Sequence, residues 1–278
     1  MSWRAVVAAL DKGERLHSHV SLYLHPLAGR PIIWHVVRSL LETQPPPDGV
    51  RVLHRHDVML RLPSDPVVDI SEEAVPRGQE GRALRAAVTP PGLTLLVDGA
   101  APLLTPATFT RLLRGAEVGV AAVRDEQNQD TGTLAVAGEG PALASADDPR
   151  RPTGVARVTP SSSDELLRVV DRHTLGSAAV VLRDRLIRVH ESQGVSFMLP
   201  ETIWVDMDVR IGPDTLVYPG VVIEGITDIG SGCVIGPHSR IVESTIGKGV
   251  ELRGWNYIAR TSVRNQAVLE PYVRRGSD

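Results

Sequence analysis

The sequence predicts an α/β domain followed by a parallel β-helix of hexapeptide repeats, and three observations carry that expectation. The last third of the chain counts in sixes. Ile211, Val217, Ile223, Ile229, Ile235, Ile241, Ile246, Leu252, Ile258, Val263 and Leu269 are all aliphatic, spaced by six except for two steps of five. Four residues after each stands Thr215, Val221, Thr227, Cys233, Ser239, Thr245, Val250, Asn256, Ser262, Ala267 or Val273, none larger than valine or asparagine. Both columns are expected to look inward, because each hexapeptide gives one short strand and a corner, and three units close one coil. The five-residue steps begin at Ile241 and Ile258, one coil apart, so both fall at the same corner. Gly212, Gly220, Gly230, Gly232, Gly236, Gly247 and Gly249 are expected at corners whose backbone angles a Cβ would oppose. The third observation lies upstream, where apolar runs of strand length alternate with helical stretches, the pattern of a parallel α/β sheet.

A chain of 278 residues with 42% apolar content is long enough for two buried cores, expected here at 1–194 and 195–278, the second with about four coils. The net charge of −3 opposes a nucleic-acid surface, which needs a clustered basic excess. One cysteine, Cys233, excludes an internal disulfide framework and fits a reducing compartment. Its place in the small inward column makes it packing. The apolar run in MSWRAVVAAL is too short for a signal peptide or a membrane span, so a cytoplasmic protein is expected.

Taken in order, Trp3 to Leu10 reads as a buried strand, DKGER as a loop, and Pro31 as the first turn of the helix IIWHVVRSLLE, which QPPPDG ends. Val50 to Leu53 reads as a strand, followed by HRHD and a second run through Val67 to Ile70. A helix is expected from about Glu80 to Val88, a turn at TPPG, a strand from Leu93 to Val97 and a helix from Thr105 to Leu113. Val118 to Val123 and Leu134 to Val136 read as strands, and ASADDPRRPTG as a loop. Ser162 and Glu165 form an S-x-x-E capping box that starts a helix through Arg172. A last helix from Ser177 to Ser192 ends at Gly194. In a doubly wound sheet, ligands sit beyond the carboxyl ends of the strands, which points to Asp11–Arg15 and Asp98–Pro102.

The stretch AVVAALDKGERLHSHVSLYLHPLAGRP (residues 5–31) resembles the opening LAAGxGTRMxSxxPKVLHPLAGRP of a bacterial enzyme family. That family is the bifunctional N-acetylglucosamine-1-phosphate uridyltransferase and glucosamine-1-phosphate acetyltransferase. The match is specific at HPLAGRP, Gly13, Arg15 and Ser18, and QGVSFMLPETIWVDMDVRIG resembles the family's lead into its left-handed β-helix. The resemblance covers nearly the whole chain, with a first domain tens of residues shorter. It implies a Rossmann-like nucleotide-diphospho-sugar transferase domain, a homotrimer built through the β-helix, a nucleoside triphosphate or sugar nucleotide as ligand, and Mg²⁺ if the chain is active.

Carried over residue by residue, the resemblance implies Gly13, Arg15 and Gly81 for nucleotide phosphates, with Arg15 and Lys12 as the remaining catalytic cations. Much else departs. Asp11 and Glu14 stand where the family has a loop glycine and threonine, and at about 4 Å and an effective dielectric near 20 each carboxylate would oppose a phosphate by about 4 kcal/mol. Ser21 and Leu22 replace the Pro-Lys pair. Ala100 takes the place of the metal aspartate. Asp98 lies on the same strand face about 6.6 Å back, and Asp171 in VVDR resembles the family's second metal ligand, so these two are the substitute Mg²⁺ ligands. EPYVRR (270–275) resembles the threshold of the acetyltransferase site, which implies sugar-phosphate contact by Arg274 or Arg275, with no histidine base visible after it.

Other residues have plainer readings. His54, His56 and Asp57 alternate on a strand and either bind a small metal ion or merely share a face. His17 and His19 either donate to phosphate or are solvated loop, His238 is a surface corner residue, and Trp34, Trp204 and Trp255 are packing. Three functions remain open. The favoured one is a catalytically impaired or inactive relative with a ligand-binding or assembly role. The others are an active UDP-N-acetylglucosamine pyrophosphorylase using substitute residues, and a hexapeptide acyltransferase. Because phosphoryl transfer rests on positioning and charge neutralisation, the loss of lysine, metal aspartate and glycine cradle together favours the first.

Overall fold

The computed structural model describes residues 2–60, 62–87, 93–116, 120–124, 130–137 and 155–276, with side chains described outside 117–157. The TPPG turn and the 144–154 loop lie outside the described residues, as does the start of the strand expected from Val118. By packing, the chain divides into Met1–Pro26 with Pro31–Ala178, and Leu27–Arg30 with Ala179–Asp278.

The first unit is built on a seven-stranded sheet. Its strands are β1 (Trp3–Ala9), β2 (Gly49–Arg55), β3 (Asp69–Val75), β4 (Leu93–Asp98), β5 (Val120–Arg124), β6 (Asp130–Ala137) and β7 (Val155–Val158), in the order β3-β2-β1-β4-β6-β5-β7. β3, β2, β1 and β4 run parallel, and Ala8 stands opposite Asp98. β6 is antiparallel to both β4 and β5, so the sheet is mixed rather than wholly parallel. The physical reason is the connection: only residues 125–129 join β5 to β6, too few for the crossover that a parallel pair requires. β3 also runs beyond the expected Ile70 to Val75, which is buried in one apolar cluster with Val6, Leu53 and Leu96, while Ser71, Glu72 and Ala74 are exposed.

The helices are α1 (Ile32–Leu41), α2 (Glu80–Ala87), α3 (Pro106–Gly115) and α4 (Arg172–Ser192). α1 buries Ile32, Ile33, Val36, Val37 and Leu40, the i, i+3, i+4 stripe of a helix laid on a sheet. α3 starts at Thr105, whose Oγ1 accepts the Thr108 N–H at 3.4 Å. The helix expected from Ser162 to Arg172 is only one 3-10 turn, Ser163–Leu166. Ser162 does cap it, but Glu165 turns inward instead of closing a capping box. Its fully buried carboxylate accepts the Thr105 N–H and hydroxyl, both at 3.1 Å, and the Ser161 N–H at 3.0 Å. Three donors compensate the burial of that carboxylate, and the chain leaves the helical path to supply them.

The second unit holds three parallel sheets of five, five and four short strands, which together make a parallel β-helix. Val217 stands opposite Ile235, Ile235 opposite Leu252 and Leu252 opposite Leu269, so the aliphatic column stacks rung on rung. Every member of that column is buried. The small column needs one correction. At the two five-residue steps the inward residue is Ser244, 3% exposed, and the half-buried Thr261, whereas Thr245 and Ser262 are exposed. Strand side chains alternate, so the small residue is keyed two places before the following aliphatic, and a deleted residue shifts the earlier count. Cys233 is buried, its Sγ donating to the Gly247 carbonyl at 3.1 Å, and burial pushes the thiol pKa up, as expected of packing.

Gly232 and Gly249 do carry positive φ, but Gly212, Gly230 and Gly247 answer a different demand. They form one column, and a Cβ on Gly230 would lie 2.7 Å from the Lys248 nitrogen of the next coil. Trp255 also departs from expectation. It is half exposed at a corner and stacks between His238, at 5.5 Å, and Tyr272, at 5.7 Å, one ring per coil.

Within the HPLAGRP stretch Pro26–Leu27 pairs with Arg30–Pro31 in a tight turn, of which Leu27–Arg30 belongs to the second unit. The Ala28 carbonyl accepts the Met207 N–H at 3.1 Å, and Arg30 pairs with Asp208 at 2.5 Å. Gly29, at φ 78°, lies so close to Asp206 that a Cβ would sit 2.6 Å from its carboxylate.

Two outcomes follow from the packing of the second unit. Gly230→Ala is expected to lower its stability by about 1–3 kcal/mol through overpacking against backbone, read as a shifted denaturation midpoint. His190, near the end of α4, is buried with Nδ1 unpartnered, and burial holds its pKa below the ordinary histidine value. Its contribution is therefore present above the unfolded-state pKa and lost as pH falls through the folded one. The denaturation midpoint should fall between about pH 7 and about pH 5, and His190→Leu should reduce that fall.

Candidate functional site

β1 and β4 are neighbours at the point where the strand order reverses, and their carboxyl ends open on the loops Asp11–Arg15 and Asp98–Pro102. There a cavity of about 490 Å³ is lined by Asp11, Lys12, Gly13, Glu14, Arg15, Arg168 and Val170. The structure thus brings together Lys12, Gly13 and Arg15, and Arg168 joins them from the segment before α4.

The loop's geometry is set from below. Gly13 takes φ 64°, and a Cβ there would lie 2.9 Å from the Leu22 Cβ. Its N–H is already donated to Asp11 Oδ1 at 2.8 Å, so this amide is bonded within the loop. The Asp11 N–H donates to the Tyr23 hydroxyl at 2.9 Å. Burial pushes the Tyr23 phenol well above its ordinary range, and nearby Asp98 and Asp11 add to the shift, so the ring stays neutral beneath the cavity. Lys12 pairs with Glu14 at 3.3 Å, both exposed. Arg15 is exposed on the cavity wall.

The two carboxylates expected to bind Mg²⁺ are engaged otherwise. Asp98 Oδ1 accepts the Ala100 N–H at 2.9 Å, and its Oδ2 is ion-paired with Arg168 Nε. Asp171 is the cap of α4. Its Oδ1 accepts the Thr174 N–H at 2.8 Å and hydroxyl at 2.7 Å, while Thr174 Oγ1 accepts the Asp171 N–H at 3.0 Å. This reciprocal pair is a capping box, and it starts the helix at Arg172, five residues before the expected Ser177. Hydrogen bonds from the Thr174 backbone and hydroxyl hold the Asp171 carboxyl below the ordinary range. Ala100 is buried and offers no side-chain oxygen. This donor set does not fit Mg²⁺, since one carboxylate is neutralised by a guanidinium, the second caps a helix, and a dication beside Arg168 would meet like charge. Among the described residues no group of three or more His, Cys, Asp or Glu side chains is placed to hold a metal ion.

The remaining candidates do not line this cavity. Gly81 is exposed in the first turn of α2, where a Cβ would meet only the flexible end of Arg85. His54 is buried with Nδ1 at 2.8 Å from the Arg55 carbonyl, and Asp57 makes a two-point pair with Arg55, so His54, His56 and Asp57 form no cluster. His17 takes a left-handed corner, and His19 lines an adjoining hollow with Arg55 and Asp57 that shares Asp11 and Lys12 with the cavity. In the second unit, Arg274 lies over the Tyr257 ring at 5.1 Å on an exposed strand. Sequence reasoning missed Arg168. The signal was its place just ahead of the VVDR stretch, which the sheet topology carries alongside Asp98.

A mixed sheet with its cavity at the strand-order reversal and a parallel β-helix after it are the two folded parts against which the comparisons stand. No family model matches the chain. A bifunctional protein GlmU of Enterococcus faecalis is 28% identical over 331 aligned residues, covering 97% of this chain and 71% of that protein. That of Caldanaerobacter subterraneus is 38% identical over 111 residues, 40% of this chain and 24% of the relative. The chain is similar along nearly its whole length to the first of these GlmU proteins and spans 71% of it. A solved nucleotidyl transferase from Methanothermobacter is 20% identical, covers 68% of this chain and 99% of its own, and superposes with a TM-score of 0.47. No helix among the described residues is long and apolar enough to cross a membrane.

The cap assignment of Asp171 has a direct check. Asp171→Ala should lower the thermal midpoint, while Asp171→Asn, an equally good capping side chain, should retain most of it. Equal losses in both would argue against the cap.

Proposed function

We propose that this chain is a non-catalytic relative of the sugar nucleotidyltransferases, keeping the nucleotide-binding fold for ligand binding or assembly. The observation that carries this reading is the pairing of Asp98 with Arg168. The carboxylate nearest the metal position is already neutralised, Ala100 contributes nothing, and Asp171 is committed to α4. Phosphoryl transfer depends on positioned cations that absorb developing charge, and Asp11 and Glu14 face the same cavity with the opposite sign. A UTP or UDP-N-acetylglucosamine ligand fits the reading, as does assembly as a homotrimer through the β-helix. Both come from the family resemblance of the loop and of the lead into the β-helix.

The test is pyrophosphate release from UTP and N-acetylglucosamine 1-phosphate with Mg²⁺, using Asp98→Ala and Arg15→Ala as controls. The expected result is no turnover above the controls. Turnover that both substitutions abolish would overturn the proposal. Light scattering of the full chain should give the mass of a trimer.

A further inference from the structure

A phosphate site whose metal ligands are committed elsewhere needs a cation from another source, and Arg168 is placed to be one. Its Nε pairs with Asp98, whose side chain is only 11% exposed, so a nearly buried carboxylate fixes the plane of the guanidinium. The pairing uses one edge of the fork, and the two Nη groups have no partner among the described residues. Planar guanidinium donors match phosphate oxygens two at a time, which a single ammonium cannot do. Arg15 lines the same cavity and makes no hydrogen bond or ion pair among the described residues, whereas Lys12 is occupied by Glu14.

The charge balance narrows the ligand. Asp11, Glu14 and Asp98 offset Lys12, Arg15 and Arg168, so the site is close to neutral before anything enters. A tetra-anionic triphosphate would lose its hydration there with little return, while a dianionic diphosphate ester meets two guanidinium faces. We propose that Arg168, oriented by Asp98, is a built-in cation that takes the place of a divalent ion, so that this cavity binds the diphosphate of a nucleotide or sugar nucleotide without metal. The inference rests on the cavity being the phosphate site of a nucleotidyltransferase relative. It adds the residue that holds the ligand and the absence of any metal requirement.

Calorimetric titration of the full chain with UDP-N-acetylglucosamine and, separately, with inorganic pyrophosphate tests it, each in EDTA and in excess Mg²⁺. The expected result is the same Kd for UDP-N-acetylglucosamine in both buffers. Arg168→Gln should weaken it by about tenfold or more, the loss of a charge-assisted pair. Asp98→Asn should weaken it less, since the guanidinium keeps its charge and loses only its orientation. Pyrophosphate binding alongside the sugar nucleotide would place recognition in the diphosphate. Its failure, with the sugar nucleotide still binding in EDTA, would support a site that also needs the base or sugar. Binding that requires Mg²⁺, binding unchanged in a folded Arg168→Gln, or no binding of either probe would overturn the proposal. If Arg168→Gln does not fold, the comparison of EDTA with Mg²⁺ on the native chain still decides. Pyrophosphate release alongside metal-free binding would sink the non-catalytic reading and leave this one standing.

Discussion

The register of β1 against β4 sets Ala8 opposite Asp98 and Val7 opposite Val97, and the candidate site hangs from that alignment. Because both strands end together, the loop after β1 and the turn after β4 open on one side, and the Gly99 N–H ties them by donating to the Ala8 carbonyl at 2.9 Å. Gly99 is packed so closely between Ala8, Ile33 and Tyr23 that a Cβ would crowd all three. Tyr23 then reaches up to hold the Asp11 amide. A rigid floor of backbone hydrogen bonds thus supports a rim of charged side chains, and the chemistry of the rim follows from which charges pair with which.

On that rim, pairing leaves little free. Asp98 takes Arg168, Lys12 takes Glu14, and Asp11 closes on the Gly13 amide. A loop that cradled phosphates on its own backbone would present bare amides, whereas here Arg15 and the Nη edge of Arg168 are the donors left open among the described residues. Here the amide is turned inward by a side chain two residues before it. The cavity sits at the strand-order reversal, but position alone does not assign a reaction to it.

The β-helix obeys a stricter rule. Each coil must present an aliphatic residue and a small residue to the inside at every rung, and Gly212, Gly230 and Gly247 let successive corners approach backbone to backbone. Where five residues replace six, the inward pair is preserved by counting back from the next aliphatic, so Ser244 and Thr261 take up the small positions. The same periodicity stacks His238, Trp255 and Tyr272 outside at one corner, all at positive φ, where ring contacts offset the backbone strain.

Periodicity was the most legible feature of this chain, because it depends on local alternation and on a column repeated many times. The inward aliphatic column, the principal strands of the first domain and the loop at Asp11–Arg15 could all be read from residue order and a family likeness. The misread features share a different cause. Glu165 looked like a capping residue and is a buried acceptor for Thr105; Asp171 looked like a metal ligand and caps α4; Arg168 looked like nothing and holds Asp98. The deciding partners of Glu165 and Arg168 are distant in sequence, that of Asp171 is a local threonine, and polar side chains have no period to betray them. Residue order by itself determined which faces are buried, since burial follows hydrophobic pattern. Tertiary structure alone decided that Asp98 meets Arg168, because that ion pair needs two groups 70 residues apart that only the fold brings within reach.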